Sequence, residues 1–158
     1  MSVSLDLDLQ IATRAEALPS ESDFMHWAAA ALEGRRARAA LSIRIVDLEE
    51  GTALNGTYRG REGPTNVLSF PFELPPGVDT DDPIADLLGD LVICADVVRR
   101  EAREQCKTAQ AHWAHLVVHG VLHLLGHDHL NAEEAATMEG LEAAILETLG
   151  FPSPYEDD

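Results

Sequence analysis

The sequence has few of the residues that mark several common protein classes. It contains two cysteines, Cys94 and Cys106, which are too few for a disulfide framework and whose spacing matches no zinc knuckle. We expect both thiols to be buried and unreactive. The sequence also lacks an apolar run of the ~18 residues that a membrane span needs and a leader of charged then apolar residues. We therefore expect a cytoplasmic protein without a membrane partner.

Basic residues are scarce. Eleven Lys and Arg stand against 28 Asp and Glu, which gives a net charge of −17 at pH 7 and argues against nonspecific adhesion to nucleic acid or anionic membranes. Ten of the eleven basic residues lie between Arg35 and Lys107. This middle segment must therefore supply any surface that contacts a phosphate polymer. Two Trp, two Tyr and four Phe offer little surface on which unpaired bases can stack.

A chain of 158 residues has the length of one domain, and we assign residues 1–158 to a single domain with a flexible tail at 153–158. Alternating or short apolar runs predict strands, and apolar residues at helical spacing predict helices. The predicted strands are 3–9, 41–46, 66–72 and 90–94, and the predicted helices are 22–32, one beginning near 95, 109–125 and 132–149. Segments 55–64 and 74–83 are predicted to be irregular. The fold class is therefore α+β.

Six of the seven histidines fall within eighteen residues, at positions 112, 115, 119, 123, 127 and 129. His119 and His123 are four residues apart in a predicted helix, so both rings project from one face and can bind one metal ion. Gly126 is a plausible end for this helix, after which the chain can fold back over the ion. The spacing leaves open whether His127 or His129 supplies the third ligand.

His115 is excluded as a third ligand because residues eight apart on a helix are separated by about 12 Å. It is therefore predicted to lie in the core or to orient a ligand. In the metalloprotease pattern H-E-x-x-H a glutamate beside the first histidine is the general base, but Gly120 occupies that position. Three neutral imidazoles would leave the full charge of a dication and an open coordination position, which suits a phosphodiester. Asp128 is predicted either to orient a ligand or accept a proton, or to be a simple turn residue.

The segment 119–129, His-Gly-Val-Leu-His-Leu-Leu-Gly-His-Asp-His, resembles the signature H-G-x-L-H-L-x-G-x-D-H of the YbeY family of bacterial metal-dependent endoribonucleases. Two upstream blocks resemble the same family in the same order. They are Leu54-Asn55 with Tyr58-Arg59 and the following 64–71, and then Gly89-Asp90-Leu-Val-Ile93. The resemblance covers about residues 41–149.

This resemblance implies an α+β fold in which a small mixed sheet packs against helices. It implies one Zn²⁺ ion bound by His119, His123 and His129, with His127 at a variable position of the signature. It also implies a functional role for Arg59, whose guanidinium suits the pairing of two phosphate oxygens.

The activity implied by the resemblance is cleavage of single-stranded RNA in 16S rRNA 3′-end maturation and in ribosome quality control. The implied partners are rRNA and the ribosome or small-subunit proteins. We expect Arg59 and Asp128 to be the catalytic residues. Arginines of the middle segment are expected to line an RNA groove, namely positions 35, 36, 38, 59, 61, 99, 100 and 103.

Two other functions are compatible with the same residues. One is a metal-dependent hydrolase of a non-RNA substrate, such as a peptide or small amide, with Asp128 as the base. The other is a ribosome-associated binding protein in which the metal is structural. Structural zinc sites usually contain cysteine and have four protein ligands, and the predicted triad has no cysteine.

Overall fold

The structure is a computed structural model that describes residues 3–59, 66–79, 82–127 and 131–155, apart from the side chains of residues 57–59. Its strands are β1 (Ser4–Ala12), β2 (Arg38–Val46), β3 (Val67–Pro71) and β4 (Leu87–Cys94). Its α-helices are α1 (Glu21–Leu32), α2 (Leu48–Arg59), α3 (Ala95–Glu104), α4 (Ala109–Leu124) and α5 (Ala132–Thr148). A short 3₁₀ helix, Pro83–Asp86, precedes β4. Within the described ranges no helix is long and apolar enough to cross a membrane.

The four strands form one mixed sheet in the order β1-β2-β4-β3. The pairs β1–β2 and β2–β4 are parallel, and the pair β3–β4 is antiparallel. β3 lies at the edge of the sheet and ends at Pro71, as a proline without a backbone N–H predicts. The predicted α+β class with a small mixed sheet is confirmed.

The main core lies between one face of the sheet and helices α1, α4 and α5. Leu7 of β1 faces this core, whereas its neighbours Asp6 and Asp8 are exposed, because successive strand side chains point to opposite faces. At the centre, the Phe24 and Trp113 rings meet edge to face with centroids 5.7 Å apart. The three parallel strands β1, β2 and β4 and the central helix α4 are therefore held by one continuous apolar cluster.

The prediction of an irregular segment at 55–64 is wrong for residues 55–59, which belong to α2. Asn55-Gly56 is a dipeptide typical of turns. However, Asn55 is only 3% exposed, and Leu54 packs against a second apolar cluster that includes Val46 and Leu68. This packing stabilises the helix against the local preference for a turn. Residues 60–65 lie outside the described part of the chain.

The two cysteines differ in their surroundings. Cys94 at the end of β4 is 2% exposed, and burial raises the pKa of its thiol. Cys106 is exposed in the connection between α3 and α4, so the expectation of two buried thiols is wrong for this residue. The connection turns through a left-handed conformation at Cys106, with φ of 54°, and this places the side chain at the surface.

Candidate metal centre

Helix α4 runs through the protein with one partly exposed line of side chains. From 111 to 124, all of which the structure describes, only Ala111, His115, His119 and His123 are not buried. These positions are four residues apart and share one face of the helix. The exposed line of an otherwise buried helix therefore consists largely of histidine, which has a ring nitrogen available for a ligand bond or a hydrogen bond.

Gly120 lies on the buried side of this helix, against Leu91 of β4. It is buried, and a Cβ atom at this position would lie 2.8 Å from Cδ2 and 3.0 Å from Cδ1 of Leu91. The position that carries the base in H-E-x-x-H thus faces the sheet, and a glutamate side chain has no room there. Close packing of α4 on the sheet gives a structural reason for the glycine.

The carboxylate of Glu142, on α5, contacts two of these histidines. Oε1 of Glu142 lies 2.7 Å from Nδ1 of His119 and 3.2 Å from Nε2 of His115. Oε2 of Glu142 accepts a hydrogen bond of 2.8 Å from the hydroxyl of Tyr155. Glu142 is 1% exposed, and a carboxylate at this depth is tolerated only when it is well hydrogen-bonded.

The protonation state of the Glu142 carboxyl determines which nitrogens of the neighbouring histidine rings carry hydrogen. Burial raises the pKa of Glu142, but the hydrogen bonds and electrostatic attraction of His115 and His119 outweigh burial and lower the pKa to about 2. The ionised carboxylate only accepts hydrogen bonds, so Nδ1 of His119 and Nε2 of His115 are donors. In a neutral His119 ring with hydrogen on Nδ1, Nε2 has the lone pair that a metal needs.

The contact between His119 and Glu142 is the arrangement in which a metal-ligating histidine donates its other N–H to a carboxylate. His123 stands one turn further along the same exposed line. Imidazole nitrogens suit zinc, so these two residues fit the predicted metal. The described residues contain no group of three or more His, Cys, Asp and Glu that could hold a metal ion.

Helix α4 ends in a glycine turn three residues after His123. Gly126 has φ of 103°, and its N–H bonds to the carbonyl of His123 at 3.0 Å, while the N–H of His127 bonds to the carbonyl of Leu122 at 3.1 Å. These two bonds form a Schellman motif, which favours glycine at the left-handed position. The predicted glycine turn is therefore present.

The side chains of three predicted site residues lie outside the part of the chain that the structure describes. Asp128 and His129 lie outside the described residues. Arg59 is the last residue of α2, and its side chain also lies outside the described part. The structure thus places two of the three predicted ligands, His119 and His123, on one partly exposed line of α4, and the metal-binding role of all three stays a prediction.

Glu142 contacts His119 and Tyr155 contacts Glu142, and neither residue is among those predicted from the sequence. A signal for Glu142 was present, because it follows Met138 by four residues and precedes Ile145 and Leu146, all of which are buried. A glutamate in the apolar stripe of a helix is unusual unless it is paired. Tyr155 lies in the segment for which we predict a flexible tail, and no comparable pattern in the sequence connects it to Glu142.

His112 belongs to a separate hydrogen-bonded cluster. It is 2% exposed, and its Nε2 lies 3.0 Å from Oε1 of Glu101 on α3, which also accepts a 3.0 Å bond from Nδ2 of Asn66. Burial lowers the pKa of His112, the hydrogen bond and negative charge of Glu101 oppose this shift, and the positive charge of Lys107 acts in the same direction as burial. His112 therefore joins α4 to α3 and to the residue before β3.

A family model described as Endoribonuclease YbeY matches residues 10–150. The chain belongs to this family. The solution structure of TM1509 from Thermotoga maritima is similar to it, with a TM-score of 0.57 and 21% sequence identity over 95% of this chain and 97% of that chain. At this identity the similarity shows a shared fold. Membership of the YbeY family supports endoribonuclease activity in rRNA processing.

In this YbeY-family chain the described arginines are distributed over separate elements. Arg36 and Arg38 lie near the 3₁₀ helix, where Arg36 donates to the carbonyl of Ala85 at 2.9 Å and Arg38 approaches Asp86 at 3.7 Å. Arg100 lies on α3 and approaches Glu104 at 3.8 Å. These contacts occupy part of the predicted basic surface, and an RNA groove lined by these arginines stays a prediction.

Proposed function

We propose that this protein is a zinc-dependent endoribonuclease specific for single-stranded RNA, which acts in the cytoplasm in 16S rRNA 3′-end maturation and ribosome quality control. Family membership supports the endoribonuclease activity. The main observation that supports the proposed metal centre is the 2.7 Å contact between Nδ1 of His119 and the buried carboxylate of Glu142. With Nδ1 of His119 bonded to Glu142, Nε2 of the same partly exposed ring is the nitrogen that would bind the metal ion.

In the proposed site His119, His123 and His129 hold one Zn²⁺ through neutral imidazoles. When bound, the ion supplies a Lewis acid that polarises a phosphate oxygen of the RNA. Arg59 pairs with phosphate oxygens through its planar fork of N–H donors. Asp128 orients a ligand imidazole or accepts a proton.

Substrate binding must overcome the net charge of −17, because a strongly negative protein repels the RNA backbone. We propose that the ribosome or a small-subunit protein contributes much of the affinity for rRNA. Cleavage of a free single-stranded oligonucleotide should then be much weaker than cleavage of the same sequence on the small subunit at the same salt concentration.

The test is cleavage of a single-stranded RNA by the purified chain. We expect His123→Ala, Arg59→Glu and treatment with a chelator each to abolish cleavage, and Zn²⁺ to restore the chelated enzyme. His26→Ala is the matched control, because His26 is an exposed histidine on α1 outside the cluster. Circular dichroism should show that all variants remain folded.

Retained cleavage by rigorously purified His123→Ala would contradict the proposal. Turnover of a peptide or small amide with no cleavage of RNA would favour the non-RNA hydrolase. Stoichiometric metal binding without turnover of either substrate would favour a binding protein with a structural metal.

A further inference from the structure

The carboxylate that contacts His119 comes from outside the histidine motif. Glu142 lies on α5, 23 residues after His119, and its second oxygen is held by Tyr155, a further 13 residues along the chain. Three separate segments therefore meet at one buried side chain: the central helix α4, the last helix α5 and the C-terminal segment.

The hydrogen bonds fix the carboxylate in position. Oε1 of Glu142 accepts from His119 and His115, and Oε2 accepts from Tyr155. Rotation of the carboxylate would break at least one of these bonds in a site that is 1% exposed, where no water replaces the lost partner. The backbone of α5 is held by the buried side chains of Met138 and Ile145 on either side of Glu142.

His115 contacts the same carboxylate from the neighbouring turn of α4. Its Nε2 contacts both Oε1 of Glu142 at 3.2 Å and the hydroxyl of Tyr155 at 3.1 Å. Its Nδ1 is buried and has no hydrogen-bond partner among the described residues. The Tyr155 ring packs edge to face on the His115 ring, with centroids 5.5 Å apart at 89°.

The path of the chain after α5 explains how Tyr155 reaches Glu142. Helix α5 ends with bonds from the N–H of Gly150 to the carbonyl of Glu147 at 3.0 Å and from the N–H of Phe151 to the carbonyl of Leu146 at 2.9 Å. The Phe151 ring then packs against Trp27 in the core, with centroids 6.3 Å apart. The chain is thus anchored where it turns back towards Glu142.

We propose that Glu142 is a positioning residue for the metal ligand His119, and that Tyr155 and His115 hold Glu142 in that role. The C-terminal segment is then part of the metal site. This inference rests on the proposed metal centre and adds to it partners that lie outside the histidine motif. Removal of such a partner typically lowers metal affinity 10- to 100-fold.

The first test measures Zn²⁺ affinity of the full chain after metal removal, by competition with a chromophoric chelator. We expect Glu142→Gln to bind Zn²⁺ about 10- to 100-fold more weakly than the unmodified chain, because a neutral amide cannot accept both histidine N–H groups as strongly. Tyr155→Phe keeps the ring but loses the hydroxyl, so a smaller loss in the same direction is expected. Glu147→Gln, an exposed glutamate on the same helix, is the matched control and should bind as the unmodified chain does.

The second test reports the position of the ring proton without any metal. Proton–nitrogen NMR of histidine rings in the metal-free chain at pH 8 should show His119 with hydrogen on Nδ1 and His115 with hydrogen on Nε2. In Glu142→Gln the His119 proton should shift towards Nε2, the nitrogen that is preferentially protonated in solution. A purely structural role for Glu142 would leave the His119 tautomer unchanged.

The outcomes separate this inference from the proposed function. A chain that binds neither Zn²⁺ nor Co²⁺ overturns both. A chain that binds Zn²⁺ while Glu142→Gln binds it equally well, with an unchanged His119 tautomer, overturns only the positioning role. If Glu142→Gln does not fold, Tyr155→Phe decides: equal affinity and an unchanged visible spectrum of bound Co²⁺ would contradict the inference.

Discussion

The close approach of α4 to the sheet can be tested by adding one methyl group at Gly120. In Gly120→Ala the new Cβ lies 2.8 Å from Cδ2 of Leu91, which is nearer than packed carbon atoms tolerate. Alanine is favoured over glycine in a helix by about 1 kcal/mol, whereas overpacking a core costs about 1–3 kcal/mol. The net expectation is a loss of about 0–2 kcal/mol in the free energy of unfolding.

Gly140→Ala separates the contribution of helix propensity from the cost of overpacking. Gly140 lies in the middle of α5, is exposed, and a Cβ there meets no atom within 4 Å. This variant should therefore be stabilised by about 1 kcal/mol through helix propensity alone. The difference between the two Gly→Ala variants isolates the packing cost at Gly120, which we expect to be about 1–3 kcal/mol.

The assay is urea denaturation of the metal-free chain, followed by far-ultraviolet circular dichroism, so that metal binding does not contribute to stability. Leu91→Val removes the two Cδ atoms, so it should relieve the contact in the Gly120→Ala background. The double variant should then be more stable than the sum of the single effects by at least about 0.5 kcal/mol. Equal effects of Gly120→Ala and Gly140→Ala, with strict additivity at Leu91, would refute the close packing of α4 on β4.

Three further predictions concern other parts of the fold. Gly126→Ala places a Cβ at φ of 103° and should cost about 1–2 kcal/mol in unfolding free energy, measured by urea denaturation. Ser20→Ala removes the side chain that accepts from the N–H of Asp23 at 3.1 Å in a capping box, and should cost about 1 kcal/mol by the same measurement. His112, whose folded pKa lies below its usual 6.5, contributes stability that is complete above pH 6.5 and is lost as the pH falls through the folded value. His112→Gln should therefore lose less unfolding free energy between pH 7.5 and pH 5.5 than the unmodified chain.

Each of these predictions has an outcome that contradicts it. A Gly126→Ala variant as stable as the unmodified chain would contradict the left-handed helix end. For the cap, Ser22→Ala is the control, because Ser22 lies inside α1, and an equal effect of the two serine substitutions would argue against a specific cap at Ser20. A pH dependence that His112→Gln leaves unchanged would assign the loss of stability to other groups.

The elements predicted correctly from the sequence are those whose apolar residues recur on the face that packs against the core. The alternation around Leu7 predicts β1, and the helical spacing around Trp27 predicts α1, because in both cases one face contacts the core. The prediction failed at Asn55, where a turn dipeptide lies within a helix that packs on the sheet. Local preferences of a few tenths of a kcal/mol to about 1 kcal/mol are overridden by burial of an apolar face.

The candidate site was predictable where its residues are close in sequence. The spacing of His119 and His123 on one helix face follows from helix geometry, and the structure places both on the partly exposed line of α4. The contact with Glu142 depends on how α5 packs on α4, and the contact with Tyr155 depends on the turn after α5. Such contacts between distant segments have no periodic pattern in the sequence.

The position of Glu142 also connects the metal site to the stability of the fold. An ionised carboxylate that is 1% exposed is a costly core residue, and a well-packed apolar side chain in its place is often neutral or stabilising. The three donors around Glu142 offset its desolvation, but two of them are histidines of the same exposed line. The free energy of folding alone therefore gives no reason for a glutamate at the centre of the α4–α5 contact. A metal ion bound as proposed by Nε2 of His119 would give one, because the carboxylate would then face a cationic ligand and determine which ring nitrogen binds the ion.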